Sequence, residues 1–246
     1  MTQRTSGQGP EGAVATDIFW WRRDIRPGVT AAFTAVAAGN LAFHVGSDDD
    51  AVRRHRASLA AAVGTERVQY MEQVHGAEAV WAEESGDAPV ADALLSAGVP
   101  VAVMVADCVP ILLAGHFDDG RPALGAVHAG RVGLAAGVVP AAVEALRRRG
   151  AADLEAWLGP SICGRCYEVP APLRDEVSAL APGTASATSW GTPALDLPAG
   201  VERQLAGLGV AVHKEAVGCT LEEARLFSHR RAPGEGRFAG VVWSHG

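Results

Sequence analysis

The residues of this sequence best suited to chemistry are His75, Cys108 and His128. Each closes an apolar stretch: Gln73-Val74-His75-Gly76, Ala106-Asp107-Cys108 after a valine-rich run, and Val127-His128-Ala129-Gly130. Side chains displayed on turns above a rigid sheet are where α/β enzymes place their sites. Two imidazoles and a thiolate are a ligand set that zinc accepts, and three protein ligands leave a fourth position open for water or substrate. Such a position acidifies a bound water or polarises a substrate oxygen. Taken singly, the same residues are ordinary: a histidine after a strand is a polar loop residue, and a cysteine beside valines is a small core residue. A reading without metal makes Cys108 a thiolate nucleophile and His75 or His128 its base. A copper-cluster oxidase fits poorly, because several copper ions must share paired histidines and the 8 histidines here include no His-x-His. A non-enzymatic binding module would hold no metal and turn nothing over.

The elements that must position these residues are legible in outline. Strands are expected over 18–21 and 29–36, then a helix over about 51–63 with Asp48 as its N-cap and Gly64 as its stop. A strand over 68–74 presents His75, with a return strand over 77–82 and a loop over 85–87. The run Val101–Val105 reads as a strand buried on both faces. Strands over 111–114 and 123–127 follow. Leu134, Val138, Ala142 and Leu146 predict a helix over 133–149, with Pro140 as the place for a kink and Gly150 as the end. Beyond it come a strand over 154–158, helices over 172–180 and 199–208, and strands over 210–217 and 239–243. The pattern is one α/β domain with a mixed sheet, residues 17–246, behind a polar, glycine-rich tail over 1–16.

Composition bounds the function classes. The chain has 246 residues, 48% of them hydrophobic, enough to bury a substantial core. A net charge of -7 argues against non-specific nucleic-acid binding, which runs on basic surface. No signal-peptide pattern and no apolar run of membrane-spanning length is visible, and 4 cysteines are too few for a disulfide scaffold. A cytoplasmic protein with neither nucleic-acid nor membrane partners is expected. Cys163-Gly164-Arg165-Cys166 forms a Cys-x-x-Cys pattern, but no second pair completes a structural zinc site and Pro160 and Pro170 bracket it, so it reads as a structural loop.

Six motifs in order carry a resemblance: NLAFHVG (40–46), QVHG (73–76), ADCVPILL (106–113), VHAG (127–130), GPSICGRCYEV (159–169) and FSHRR (227–231). The sequence resembles the YfiH-type family, also called the laccase-domain or multicopper polyphenol oxidoreductase family, from about residue 29 to 243. The resemblance implies a layered α/β sandwich and one zinc ion bound by residues matching His75, Cys108 and His128, with copper as an alternative metal. It implies purine nucleoside phosphorylase activity on adenosine, inosine, guanosine or methylthioadenosine, with nucleoside and phosphate as small-molecule partners and adenosine deamination as a side activity. Copper-dependent polyphenol oxidation and editing of a peptidoglycan precursor are further activities linked to the family. By motif position, Arg131 and Arg230 are candidates to neutralise phosphate, Asn40 and Gln73 to hydrogen-bond sugar or base, and Asp107 to act as acid/base or to orient a histidine ligand. His44 and His229 are candidates to line the pocket. The commoner motif HAGWRG reads His128-Ala129-Gly130-Arg131-Val132-Gly133 here, so the arginine stands one position earlier and the tryptophan is absent.

Overall fold

The computed structural model describes residues 17–46, 48–83 and 88–245, so the expected tail over 1–16 and the expected loop over 85–87 lie outside the described residues. The first elements build an antiparallel sheet. Strands β1 (Phe19–Arg26) and β2 (Val29–Thr34) form a hairpin, and β12 (Phe238–Ser244) from the far end of the chain pairs with β2 and then with β5 (Val101–Val105). Helix α1 (Asp49–Val63) lies against one face of it, capped as the sequence predicts: Asp48 Oδ1 accepts from Ala51 N at 2.8 Å, and Gly64 takes the left-handed conformation. Leu59, Val63, Met104, Val241 and Trp243 form the core between them.

The second sheet is mixed and carries six strands in the order β11-β8-β6-β7-β4-β3. These are β3 (Ala79–Trp81), β4 (Ala93–Ser96), β6 (Val109–His116), β7 (Pro122–Ala129), β8 (Ala152–Leu158) and β11 (Ala211–His213). The outermost pairs are parallel and the inner ones antiparallel. One face meets the first sheet, with Phe33, Val103, Val105 and Phe238 packed against Leu94, Leu112, Leu124 and Trp157. The other is covered by α2 (Arg131–Ala136), α3 (Val138–Arg148), α4 (Ala171–Leu180) and α5 (Leu197–Gly207) through Leu134, Val143, Leu146, Val201 and Leu205. A short hairpin, β9 (Ala185–Ala187) with β10 (Pro193–Leu195), packs beside α4. The result is one domain of four layers, helix, sheet, sheet and helices, with β5 buried on both faces because it lies between α1 and the second sheet. Among the described residues no helix is long and apolar enough to cross a membrane.

Three expectations are corrected. Segment 68–74 is not a strand: it makes only isolated bridges, Gln69 to Val101 and Glu72 to Val90, because it passes from the first sheet toward the second and runs a ladder with neither. The helix over 133–149 is two helices, and the break lies at Gly137, whose φ of +89° ends α2 and starts α3, while Pro140 sits in the first turn of α3 where no amide partner is lost. The strand over 210–217 stops at His213. Strand β4 escaped the reading because its four residues are apolar or small and buried on both faces, which leaves no alternation to detect.

Candidate metal centre and the cavity around it

Three separate turns bring the ligating atoms together. His75 sits at φ +61° in the turn that follows segment 68–74, Cys108 follows a corner at Asp107 (φ +89°) between β5 and β6, and His128 is near the end of β7. One donor atom from each of His75, Cys108 and His128 lies within 4.8 Å of the others. Cys108 Sγ is 3.9 Å from His75 Nε2, and the two imidazole rings meet edge to face with centroids 4.7 Å apart. Space for this is reserved by glycine. A Cβ on Gly130 would stand 2.7 Å from His75 Cδ2 and 3.1 Å from Cys108 Sγ, and one on Gly133 would stand 2.6 Å from the Gly76 carbonyl.

The residue that orders the turns is Asp92, fully buried just before β4. Its Oδ1 accepts from His128 Nδ1 at 2.7 Å and from the His75 amide at 3.0 Å; its Oδ2 accepts from the Gly76 amide at 2.6 Å and the Val74 amide at 3.3 Å. One carboxylate therefore fixes the ring of one histidine and the backbone of the other. With Nδ1 committed to Asp92, His128 presents Nε2 toward Cys108, which is how a carboxylate prepares a histidine for a metal. The donor set, its confinement and this carboxylate support fit a metal ion held by His75, Cys108 and His128.

The electrostatics match. Burial pushes the Cys108 thiol up, but His128 and His75 beside it outweigh that and bring it down to about 6. Burial alone would lower His128; the Cys108 thiolate and the Asp92 carboxylate instead raise it to about 9. Asp92 is held below its ordinary value, since the hydrogen bonds from His128 and the turn amides overcome its burial. Ligation of a metal requires the thiolate and displaces the proton from the imidazole.

The cluster opens into a cavity of about 480 Å³, the size of a small-molecule site. Arg131, Arg230 and Arg237 line it together with His44, His229 and Tyr167, and Ile162, Leu197 and Val132 supply its apolar wall. Arg131 and Val132 both reach it from the first turn of α2, and the Arg131 guanidinium lies near the Tyr167 hydroxyl. Arg230 lies 5.4 Å from the Tyr167 ring and donates to the Glu168 carbonyl. Burial and the neighbouring Arg237 push the His44 imidazole down, toward its neutral form.

The other expected site residues have partners inside the protein. The Gln73 amide lines the cavity but pairs with the backbone of Met104, donating to its carbonyl at 2.7 Å and accepting from its amide at 2.8 Å. Asn40 is not part of the cavity lining: its amide donates to Ala42 and Val45 carbonyls and accepts from the Ala42 and Arg237 amides, which places the chain that carries Arg237. The Asp107 carboxylate accepts from Thr220 Oγ1 at 2.6 Å and the Arg230 amide at 2.7 Å, so it anchors the segment bearing His229 and Arg230, while Asp92 is the carboxylate at His128. Sequence reasoning missed Asp92, Tyr167 and Arg237. Tyr167 lay inside a quoted motif; Asp92 showed only as an acidic residue opening a short apolar run.

Comparison with known proteins agrees with this geometry. The chain is 49% identical over 213 residues to a purine nucleoside phosphorylase of Streptomyces coelicolor, covering 83% of this chain and 87% of that one. It is 45% identical over 213 residues to one of Mycobacterium tuberculosis, with 83% and 84% covered. Among solved structures it resembles a Neisseria meningitidis protein, with TM-score 0.78, 31% identity and 90% and 96% of the two chains covered. It also resembles YlmD of Geobacillus stearothermophilus, with TM-score 0.77, 28% identity and 94% and 100% covered. A family model matches residues 26–245, and the chain belongs to the family it describes, the multi-copper polyphenol oxidoreductase laccase family.

Proposed function

We propose that this chain is a metal-dependent purine nucleoside phosphorylase and that zinc is the metal held by His75, Cys108 and His128. The observation that carries the reading is one cavity joining that ligand cluster to the guanidinium groups of Arg131, Arg230 and Arg237. The relatives that bear the name of this activity support it. A metal bound there supplies positive charge that polarises an oxygen in the cavity. The chain's own groups account for the rest. The three arginines neutralise phosphate, whose charge an acidic protein of net charge -7 would otherwise repel. A phosphate oxygen bonds to ribose C1′ as the bond from C1′ to the purine nitrogen breaks; the electron pair leaves on the purine, which takes up a proton. Tyr167 lines the cavity, and burial and the Cys108 thiolate raise its hydroxyl, so it serves as a hydrogen-bond donor to the departing purine while solvent supplies the proton. Ile162, Leu197 and Val132 offer the purine an apolar wall. Adenosine, inosine, guanosine and methylthioadenosine share the bond this site would cleave.

The test is to incubate zinc-loaded protein with inosine and phosphate. Equal amounts of hypoxanthine and ribose 1-phosphate are expected, and no ribose 1-phosphate from zinc-loaded protein would sink the reading. With adenosine, adenine reports phosphorolysis and inosine reports the deaminase side activity. A second reading, a cysteine-dependent hydrolase or amidase acting on a peptidoglycan precursor, draws on the Cys108 thiol brought to about 6. An acyl group trapped on Cys108 in chelator-treated protein would favour it. Copper is accepted by the same ligands, and phenol oxidation by copper-loaded protein is the corresponding assay.

A further inference from the structure

Away from this cavity, the fold completes what the sequence left as half a motif. After β8, Ser161 and Cys219 form a parallel bridge: the Ser161 amide donates to Gly218 at 3.0 Å, and the Thr220 amide to Ser161 at 3.1 Å. The bridge lays Cys219-Thr220-Leu221-Glu222 against Cys163-Gly164-Arg165-Cys166. One ligand atom from each of Cys163, Cys166, Cys219 and Glu222 then lies within 4.8 Å of the others. Cys166 Sγ is 3.4 Å from Glu222 Oε1, and none of the cysteines is in a disulfide. The two halves are built alike. The Cys163 carbonyl accepts from the amides of Cys166 and Tyr167, and the Cys219 carbonyl accepts from those of Glu222 and Glu223. Each is a tight turn that sets its first and fourth side chains on one side. Burial raises the Cys219 thiol despite the nearby backbone amides of Cys163, Glu222 and Leu221, so a cation bound there displaces its proton. Arg231 braces the second turn by donating to the carbonyls of Thr220, Leu221 and Glu223.

We propose that Cys163, Cys166, Cys219 and Glu222 form a second, structural metal site that takes a zinc-class cation. Three thiolates and a carboxylate are soft enough for zinc, and four protein ligands leave no open position, the mark of a structural site. A tetrahedral zinc with bonds of about 2.3 Å to sulfur holds its sulfurs about 3.8 Å apart, so a cluster spread over at most 4.8 Å needs only a contraction of about 1 Å or less. The site ties together the two segments that carry Tyr167 and Ile162 on one side and His229 and Arg230 on the other, all of which line the catalytic cavity. It is independent of the reaction proposed above, because its readout is metal content.

The test measures zinc per chain by mass spectrometry in the full-length protein, in Cys108→Ala, and in the double variant Cys163→Ser with Cys219→Ser. About two zinc ions are expected in the parent and about one in each variant. Should the double variant fail to fold, cobalt(II)-loaded Cys108→Ala decides alone: it must show the strong thiolate-to-cobalt charge-transfer absorption of several Co–S bonds. One zinc in the parent with none in Cys108→Ala, or a cobalt spectrum of Cys108→Ala without that absorption, overturns the proposal. So does a disulfide among Cys163, Cys166 and Cys219 in freshly purified protein.

Discussion

Replacing Asp92 with Asn tests whether one buried carboxylate organises the metal centre. The side chain is fully buried and serves four donors: His128 Nδ1 and the amides of Val74, His75 and Gly76. An amide of the same shape keeps one oxygen and turns an NH₂ toward the donors of the other, so at least two donors lose their acceptor. A buried donor left unsatisfied costs about 1–3 kcal/mol. The His128 side lies in the core, whereas Val74 is 54% exposed and water can replace the acceptor on that side of the turn. The net loss is therefore about 2–4 kcal/mol, which in a domain of this size lowers Tm by roughly 5–15 °C. Metal binding suffers further, since His128 loses the partner that fixes its Nε2 toward the site; loss of such a partner weakens metal affinity about 10–100-fold. Competition for zinc with a fluorescent chelator reads the second effect, and thermal unfolding of chelator-treated protein reads the first. Zinc affinity within about twofold of the parent would refute the claim that Asp92 prepares His128. An unchanged Tm in the metal-free protein would refute its role in holding the His75 turn.

Alkylation of Cys108 by iodoacetamide in metal-free protein should have a half-maximal rate near pH 6, because His128 and His75 outweigh burial and bring the thiol to about 6; a midpoint near the ordinary thiol value of about 8.5 would contradict this, and bound zinc should protect. The same pair sets the pH dependence of metal-free stability. The raised His128, at about 9, contributes stability that is full below the unfolded value of about 6.5 and lost as pH rises through 9; the lowered Cys108 contributes stability present above about 8.5 and lost as pH falls through 6. Between about pH 6.5 and 8.5 native and unfolded pairs each bind one proton, so this pair leaves stability flat there, and His128→Ala should introduce a slope measurable by urea unfolding at several pH values. Gly130→Ala should abolish tight zinc binding, since its Cβ would stand 2.7 Å from His75 and 3.1 Å from Cys108; normal zinc content by mass spectrometry would show that the turn yields. Arg131→Ala and Arg237→Ala should each raise KM for phosphate by about tenfold, the equivalent of one charge-assisted hydrogen bond, while KM for nucleoside changes less; initial rates at varied phosphate decide it.

The outline of this protein was readable because much of its information is local. The Asp48 cap and Gly64 stop fix α1 without reference to anything distant, and Val101–Val105 declares a strand buried on both faces by its composition alone. His75, Cys108 and His128 stood out because each ends an apolar run. The sequence marks Pro140 as the place for a kink in one continuous helix, whereas proline in a first helical turn is harmless and Gly137 with positive φ is what divides the chain into α2 and α3. Segment 68–74 has strand-like residues, but whether a segment finds a continuous partner depends on the two sheets it passes between.

What stayed hidden was everything defined by distance in space with no spacing in sequence. Asp92 is separated from His128 by 36 residues and from the 74–76 turn by 16 to 18, and nothing in its neighbours distinguishes it from a surface aspartate before a strand. Cys219 and Glu222 lie more than fifty residues from Cys163 and Cys166, a separation no metal-motif spacing anticipates, and only the bridge between Ser161 and Cys219 reveals them as one cluster. The same holds for the residues read as substrate contacts. Asn40, Gln73 and Asp107 lie in conspicuous motifs, yet their polar atoms bond the backbone at Arg237, Met104 and Arg230 and the Thr220 hydroxyl, so each places a wall of the cavity. Groups that hold a site together need hydrogen-bonding side chains as much as groups that touch a ligand do, and sequence records the side chain without its partner. Substitution separates the two: Gln73→Glu repels the Met104 carbonyl it now bonds and should lower stability, whereas a direct contact would move KM for the nucleoside and leave Tm unchanged.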